Sequence, residues 1–485
     1  ISDFLSKLMR LPMRFFDSKL AGDLIRRIED HNRIESFLTQ SVLNILFSTL
    51  TVVIFGIVLA IYSWKIFLIF ILFSAAYMGW VKLFMRKRAD LNRKNFEQMS
   101  VNQNNLMQLI YGMQDIKLLG CEQQKRWEWE NIQASLFRIN MSSLNLGQWQ
   151  QVGAVLINEV KNVLITVLSA TAVLHGSITL GVMLSIQYII GQMQGPISQF
   201  VSFMQDTQDA QLSLERLGEI HGKPDEETEG MDQDTQISGK DPIQLQNVVF
   251  TYGSEKSKRI IKGLSLDIPA GKTTAIVGLS GSGKTTLIKL MLGFYPPIGG
   301  AVMIGNQSLQ KISFKEWRKH CGVVMQEGFI FGDTIANNIA PDGSMIDKER
   351  LLYAVEMANI REFIESLPLK YNTKIGNTGQ GLSQGQKQRI LIARAIYRNP
   401  DYLFFVAATN APDTANEKVI QENLERFFKD KTVVIVAHRL STVKNADQIV
   451  VLKEGEITER GTHEELIARQ GDYYRLVKNQ LELSA

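Results

Sequence analysis

A long uncharged stretch in the first half of the chain limits most strongly what this sequence can fold into. From Ser36 to Trp64 no Asp, Glu, Lys or Arg occurs, and about 20 apolar residues in a helix are enough to cross the hydrocarbon core of a bilayer. The chain has 485 residues, of which 45% are hydrophobic and 21% charged. This average conceals a split, because the residues after about position 205 have the composition of a soluble α/β protein. The sequence therefore predicts an all-α membrane domain followed by a separate α/β domain.

The apolar runs predict four membrane-crossing helices. Their approximate bounds are 38–63, 66–85, 150–174 and 179–204. A basic cluster, Arg86 to Arg88, ends the second run, and the positive-inside bias places the long loop that follows in the cytosol. The length of that loop predicts that the membrane helices continue well past the bilayer. The alternative, buried core helices of a soluble protein, is disfavoured by the length and apolarity of the first two runs.

The third predicted span contains two charges, Glu159 and Lys161. Either they lie near a helix end in water, or they line a substrate path, or they meet across a helix interface. The net charge of +4 is small for this length and gives no indication of nucleic-acid binding. Cys121 and Cys321 form neither a metal-binding pattern nor a disulfide framework, so we expect free thiols. The chain starts with Ile1, in what reads as the middle of a segment, and this predicts a fragment.

A polar, acidic segment over residues 222–242 separates the two halves. Its Gly, Pro and acidic residues are typical of a linker. The membrane domain is thus predicted over 1–221 and the soluble domain over 243–485. In the soluble domain, alternation in IQLQNVVFTY predicts a strand, and KTTAIVGL predicts a buried strand that ends in a glycine-rich loop.

That loop fits the phosphate-binding pattern G-x-x-x-x-G-K-[ST] between a predicted strand and a predicted helix. Its glycines let backbone N–H groups surround phosphate oxygens, and the following helix adds its positive end. Lys284 supplies a charge for the β- and γ-phosphates, and Thr285 a hydroxyl for Mg²⁺. The residues predicted to hold ATP here are Gly278, Ser280, Gly281, Ser282, Gly283, Lys284, Thr285 and Thr286.

Further motifs before and after this loop occur in the order that a known family shows. From about residue 243 onwards, the chain resembles the nucleotide-binding domain of ATP-binding cassette (ABC) transporters. Tyr252 resembles the aromatic residue that stacks on adenine, and Gln326 the glutamine that senses Mg²⁺ and the attacking water. His438 resembles the switch histidine that contacts the γ-phosphate, and Asp413 lies in the dimer-contact loop. The segment Leu382, Ser383, Gln384, Gly385 and Gln386 resembles the signature LSGGQ, which faces the ATP of a second half.

The membrane half resembles exporters with six membrane helices per half, so this resemblance implies that a pair is missing before Ile1. It also implies coupling segments near 12–30 and 105–120. The phrasing MQEGFIFGDTIANNIA and LSQGQKQRILIARA is most like exporters of bacteriocin-type peptides, many of which carry an N-terminal peptidase domain. The resemblance implies ATP and Mg²⁺ as cofactors and a bacterial cell membrane as the location. It also implies three partners, namely a second transporter half, membrane lipid and an exported substrate, for which the bacteriocin-type resemblance implies a peptide. It implies no nucleic-acid partner.

One strand departs from the family pattern, in which Asp-Glu-Ala-Thr is followed by Leu-Asp. Val406 stands where the Mg²⁺-linked Asp is expected, Ala407 where the Glu that orients the attacking water is expected, and Pro412 replaces a Leu. Because general-base catalysis contributes about 10²–10⁴-fold to a rate, we expect this chain to bind ATP and to hydrolyse it near background. Natural specialisation, engineering and sequence error all remain open as origins.

The motifs and the apolar runs lead to three candidate functions. The first is an ATP-driven exporter half that forms homodimers around two ATP molecules. The second is a hydrolysis-deficient partner subunit in a heterodimer, whose signature serves a competent half. The third is a soluble cassette ATPase, which the apolar run over 36–85 disfavours. The sequence does not identify the exported substrate.

Overall fold

The structure is a computed structural model that describes most of the chain. The described residues are 2–19, 21–227, 237–253, 257–326, 328–343, 345–376, 379, 381–407, 414–437 and 443–482. Contacts divide the chain into two compact units, one of Ile1–Leu11 and Phe15–Asp225, the other of Pro12–Arg14 and Glu226–Ala485. We call them the membrane unit and the nucleotide unit.

The membrane unit is entirely helical over its described residues. Its helices are α1 (Ser2–Arg10), α2 (Met13–Ser18), α3 (Ala21–Ser36), α4 (Val42–Tyr62), α5 (Trp64–Tyr111), α6 (Met113–Leu119), α7 (Glu122–Leu174) and α8 (Leu180–His221). A π-helical turn, Phe37–Ser41, joins α3 to α4. At about 1.5 Å per residue, the 48 residues of α5 and the 53 residues of α7 far exceed the hydrocarbon thickness of about 30 Å. The predicted helical extensions beyond the bilayer are therefore confirmed.

Three of the described helices are long and apolar enough to cross a membrane. They are Gly22–Tyr62, which combines α3, the π-helical turn and α4, then Trp64–Tyr111 and Glu122–Leu174. The fourth predicted span, 179–204, lies in α8, whose apolar stretch is interrupted by glutamines such as Gln187 and Gln192. Ile186 and Ile190 of α8 are instead buried in the core of the helical bundle. The crossing by α8 stays a prediction.

A buried ionic contact, which we call the ionic clasp, joins α3 to α8. The Asp30 side chain is 2% exposed and accepts hydrogen bonds from Ser213 Oγ at 2.9 Å, Arg216 Nε at 2.8 Å and Arg216 Nη2 at 2.6 Å. The Arg216 guanidinium also lies 4.4 Å from the ring centroid of Phe96 on α5. Since a buried charge is costly unless it is paired and hydrogen-bonded, the clasp fixes these three helices relative to one another.

Over its described residues, the nucleotide unit contains two sheets. Its strands are β1 (Ile243–Phe250), β2 (Ile261–Ile268), β3 (Thr273–Val277), β4 (Gly299–Ile304), β5 (Gln307–Ser308), β6 (Cys321–Val324), β7 (Tyr402–Ala407), β8 (Thr432–Ala437), β9 (Gln448–Lys453) and β10 (Glu456–Gly461). The smaller sheet is antiparallel, in the order β2-β1-β4-β5, and the larger has the order β10-β9-β3-β8-β7-β6. In the larger sheet β9, β3, β8, β7 and β6 run parallel, and β10 is antiparallel at one edge.

Helices cover the larger sheet. They are α9 (Lys284–Met291), α10 (Phe314–Lys319), α11 (Ile335–Ile339), α12 (Lys348–Met357), α13 (Arg361–Ser366), α14 (Gln384–Tyr397), α15 (Thr414–Phe428), α16 (His463–Arg469) and α17 (Asp472–Glu482). Because strand side chains alternate between faces, the central strands feed two cores. Leu403 and Phe405 of β7 pack in one core, whereas Phe404 and Val406 pack in the other, between the two sheets.

The first part of the predicted linker is held against α10. Glu226 accepts from Arg318 Nη1 at 2.8 Å and Nη2 at 2.6 Å, and Glu227 accepts from Ser313 Oγ at 2.8 Å. These residues therefore belong to the nucleotide unit, although the composition of 222–242 predicts only a polar connection. The two cysteines are free thiols, as predicted.

Candidate nucleotide-binding site

The phosphate loop connects β3 to α9, in the predicted strand–loop–helix arrangement. A Cβ atom at Gly278 would lie 2.1 Å from the Leu452 carbonyl oxygen, so only glycine fits there. Gly283 has a φ of 103°, which L side chains rarely adopt. The chain can therefore turn tightly from β3 into α9, with the loop closed by a hydrogen bond from Ser282 N to the Leu279 carbonyl oxygen at 3.2 Å. Such a turn is the backbone geometry that surrounds a phosphate.

Lys284 begins α9 and points back into the loop. Its side chain is largely buried, and its Nζ donates to the carbonyl oxygens of Gly278 and Leu279, both at 2.8 Å. Burial lowers the pKa of the Lys284 amine below its ordinary value. A phosphate is a stronger, charge-assisted acceptor than these two carbonyls, so the ammonium is placed to exchange them for phosphate oxygens.

A buried hydroxyl in the same loop supports a polar ligand. Ser282 Oγ is buried and has no hydrogen-bond partner among the described residues. Such a group costs about 1–3 kcal/mol unless something satisfies it. Ser280, Gly281 and Thr285 are exposed at the mouth of the loop. The loop thus fits a phosphate group, and Thr285 fits a metal that accompanies it.

Tyr252 stands beside the loop through a contact that the sequence did not indicate. Its hydroxyl shares a 3.1 Å hydrogen bond with Thr286 Oγ1, and its ring packs edge-to-face on Phe250 at 5.0 Å and on Tyr295 at 5.3 Å between centroids. The Tyr252 residue remains 42% exposed. This arrangement holds an accessible aromatic ring next to the phosphate loop, where the base of a nucleotide can pack.

The parallel register brings three more positions singled out in the sequence, Gln326, Val406 and Ala407, to the edge of the sheet at which the phosphate loop lies. Ile276 pairs with Val436, and Val436 pairs with Val406, so β3, β8 and β7 end at the same level. Gln326 follows the next strand, β6, and is exposed. Since the carboxyl ends of parallel strands form the binding edge of an α/β sheet, Gln326 and the end of β7 lie at the loop's edge of the sheet.

The end of β7 supplies no carboxylate. Val406 is 5% exposed and packs in the core between the sheets, and Ala407 follows it as the last residue of the strand. Among the described residues no group of three or more His, Cys, Asp or Glu side chains could hold a metal. Within the described part, Thr285 and Gln326 stay the predicted donors for Mg²⁺. His438 and Asp413 lie outside the described residues.

The signature segment forms the start of α14. Ser383 is the N-cap residue: its Oγ accepts from Gln386 N at 3.2 Å, while Gln386 Oε1 accepts from Ser383 N at 2.9 Å. This reciprocal capping box leaves Ser383 exposed at the positive end of the 14-residue helix. Leu382 packs against the adjacent core, and Gly385 lies in the first turn.

One supporting element of the loop was missed by the sequence reasoning. The turn between β9 and β10 closes over the loop, with Gly455 N donating to the Ser282 carbonyl oxygen at 3.1 Å. A Cβ atom at Gly455 would lie 2.1 Å from the Ile260 carbonyl oxygen. The sequence signal was the Glu454-Gly455 pair between the apolar strand β9 and the polar strand β10, which indicates a turn but not its packing partner.

These features define a P-loop nucleotide-binding unit in one chain with apolar membrane helices. The unit also carries a signature-like segment at the N-terminus of α14. Comparison with known families gives the same class. The family described as "ABC transporter transmembrane region" matches residues 1–197, and the family described as "ABC transporter" matches residues 261–410. The chain belongs to the ABC transporters.

Curated relatives match along nearly the whole chain. It is 35% identical over 474 residues to the toxin RTX-I translocation ATP-binding protein of Actinobacillus pleuropneumoniae, covering 96% of this chain and 66% of the relative. It is 34% identical over 484 residues to the leukotoxin translocation ATP-binding protein LktB of Mannheimia haemolytica, covering 98% of this chain and 67% of the relative. The chain thus spans about two thirds of the length of these relatives.

A solved structure shows the same fold. The structure of a bacterial Atm1-family ABC exporter with ATP bound matches with a TM-score of 0.91 and 25% identity, covering 99% of this chain and 84% of that one. The predicted class, a helical membrane domain followed by an ABC-type α/β domain, is confirmed. A peptidase domain is not shown by these comparisons.

Proposed function

We propose that this chain is the membrane and ATP-binding half of a bacterial exporter of polypeptides. The observation that carries the proposal is that one chain joins the phosphate loop around Lys284 to helices that can cross a membrane. The relatives named for the translocation of a toxin and a leukotoxin support a polypeptide as the substrate. On this proposal the chain lies in the bacterial inner membrane, with its nucleotide unit in the cytosol.

The residues of this chain would act on ATP by binding and orienting it. Lys284 and the loop N–H groups hold the phosphates, Tyr252 packs on the base, and Ser383 at the start of α14 faces the phosphates of a nucleotide on a second half. Mg²⁺, held through Thr285 and Gln326, would neutralise phosphate charge. Closure of two halves around ATP would then be transmitted to the long membrane helices.

Hydrolysis by this chain alone would be slow, because the end of β7 lacks the two carboxylates. This favours a second candidate function, an ATP-binding partner subunit in a heterodimer with an acid-bearing half. In that assembly the signature around Ser383 would complete the ATP site of the competent half.

The test is purification of the chain in detergent, followed by ATP binding, ATPase and polypeptide transport in proteoliposomes, each with a Lys284→Ala control. The proposal expects nucleotide binding that needs Lys284 and is followed by little turnover. Absence of Lys284-dependent binding would overturn the exporter proposal. Co-purification with a second, acid-bearing half would select the heterodimer, and a stable homodimer would exclude it.

A further inference from the structure

A cleft in the nucleotide unit lies away from the phosphate loop and is lined by positive charges. Its volume is about 300 Å³. We call it the cationic cleft and define it by Arg350, Tyr353, Tyr397, Asn399, Arg426 and Lys431. This volume is at the lower end of the range for small-molecule sites, about 300–1,000 Å³.

The cleft is on the opposite edge of the larger sheet from the predicted ATP site. Asn399 precedes β7 and Lys431 precedes β8, so both lie at the amino ends of their strands. The phosphate loop follows the carboxyl end of β3, which runs parallel to β8. The cationic cleft is therefore a separate place in the fold and does not belong to the nucleotide site.

Three cations line this cleft from three different segments; Arg350 and Arg426 are exposed and Lys431 is half-buried. Arg350 comes from α12, Arg426 from α15 and Lys431 from the turn before β8. Among the described residues, none of the three has a carboxylate within the 4.0 Å of an ion pair. The Asp401 carboxylate acts on Lys431 from a distance, but it is hydrogen-bonded to His320 Nδ1 at 2.6 Å.

Neutral groups hold two of the three cations, Lys431 and Arg350. Lys431 Nζ donates to Asn399 Oδ1 at 2.9 Å and to the Pro400 carbonyl oxygen at 2.8 Å. The Arg350 guanidinium lies 5.4 Å from the Tyr397 ring centroid, and Tyr397 is fixed by a 3.1 Å hydrogen bond from Asp347 N to its hydroxyl. Burial lowers the pKa of the Lys431 amine, and the Asp401 carboxylate offsets part of this lowering.

Together these contacts describe an anion site. Guanidinium and ammonium groups that face one concavity repel each other, and an anion with several oxygens relieves this repulsion and accepts their N–H groups. Tyr353, which is 52% exposed, adds an aromatic wall on which an organic part can pack. We propose that the cationic cleft binds a small phosphorylated compound, with its phosphoryl group on Arg350, Arg426 and Lys431.

The experiment measures binding to the full chain in detergent, with Lys284→Ala present throughout so that the phosphate loop does not contribute. The probes are labelled inorganic pyrophosphate and labelled ribose 5-phosphate, followed by equilibrium dialysis. The decisive variant is Arg426→Gln, and the matched control is Lys429→Gln, which removes one charge from a neighbouring exposed position that does not line the cleft.

We expect saturable binding that Arg426→Gln weakens by about tenfold or more, as for loss of one charge-assisted hydrogen bond, and that Lys429→Gln leaves unchanged. Tighter binding of ribose 5-phosphate than of pyrophosphate would support an organic phosphate, and the reverse would support an inorganic one. Hydrogen exchange should show ligand-dependent protection at 397–401 and 426–431. Absence of saturable binding, or equal weakening by the two variants, would overturn the proposal.

Discussion

At the scale of single residues, we propose that the end of β7 separates nucleotide binding from hydrolysis. Lys284, Thr285 and Tyr252 retain the geometry of a nucleotide site, while Val406 is an ordinary core residue at the level where the neighbouring strands end. Two apolar side chains therefore set the expected chemistry of the chain, and both can be changed without touching the phosphate loop.

Restoring the two acids should restore turnover. The double variant Val406→Asp with Ala407→Glu is expected to raise the ATPase rate by about 10²–10⁴-fold, because it returns a general base and a carboxylate near the metal. Steady-state phosphate release measures this effect, and adding Lys284→Ala should abolish the gain. A native chain that already turns over as fast as the double variant would contradict the prediction. Since Val406 is buried, a thermal melt must show that the variant remains folded.

At the scale of elements, α14 is expected to serve both stability and nucleotide contact. Ser383→Ala removes the capping box and should cost about 1 kcal/mol of stability. Ser383→Asp retains a cap but places negative charge where a phosphate of the second half is expected. ATP-dependent association of two chains, followed by crosslinking or light scattering, should therefore fall with both variants.

The control for this effect is a second capping box in the same unit. Thr462 caps α16, with Glu465 bonding back to its N–H at 3.1 Å. Thr462→Ala should lower stability by a similar amount while ATP-dependent association stays intact. If Thr462→Ala reduced association as much as Ser383→Ala, the loss would reflect stability alone.

The ionic clasp provides a prediction for the membrane unit. Asp30→Asn leaves Arg216, whose side chain is 11% exposed, without its carboxylate. Breaking a buried pair in this way costs about 3–5 kcal/mol, which thermal unfolding in detergent should show. The matched control is Arg126→Gln, which breaks an exposed pair with Glu130 on α7 and should change stability by no more than about 0.5 kcal/mol. Equal effects of the two variants would contradict the role of the clasp.

These elements also show what the sequence could predict. The phosphate loop, the signature helix and the long apolar helices follow from local patterns, namely glycine spacing, capping residues and apolar runs. The ionic clasp joins residues 186 positions apart in the chain, and the Tyr252–Thr286 bond joins residues 34 apart. Such contacts depend on tertiary packing, which no local pattern encodes. The same holds for the pair between Glu226 and Arg318, because composition describes the segment that contains Glu226 only as a linker.

At the scale of the whole molecule, the number of membrane crossings determines on which side each segment lies. Three helices meet the requirements of a span without further support, and α8 is the fourth predicted crossing. With four crossings, residues before α3 and residues after α8 are on the same side of the membrane. With three crossings they are on opposite sides, so the parity can be measured directly.

Single cysteines introduced in a Cys121→Ser background provide this measurement. The remaining native thiol, Cys321, is poorly reactive, because it is buried and burial raises its pKa well above the ordinary value. Ser177→Cys lies in the turn between α7 and α8, and Lys223→Cys follows α8. In sealed vesicles of known orientation, we expect a membrane-impermeant maleimide to label these two positions from opposite faces. Lys223→Cys should be labelled from the same face as Lys87→Cys, which lies in the basic cluster that ends the second span. In the four-span arrangement, a nucleotide unit with access to ATP places Lys87 in the cytosol as well. Labelling of Ser177→Cys and Lys223→Cys from the same face would mean that α8 does not cross, and the four-span arrangement would be wrong.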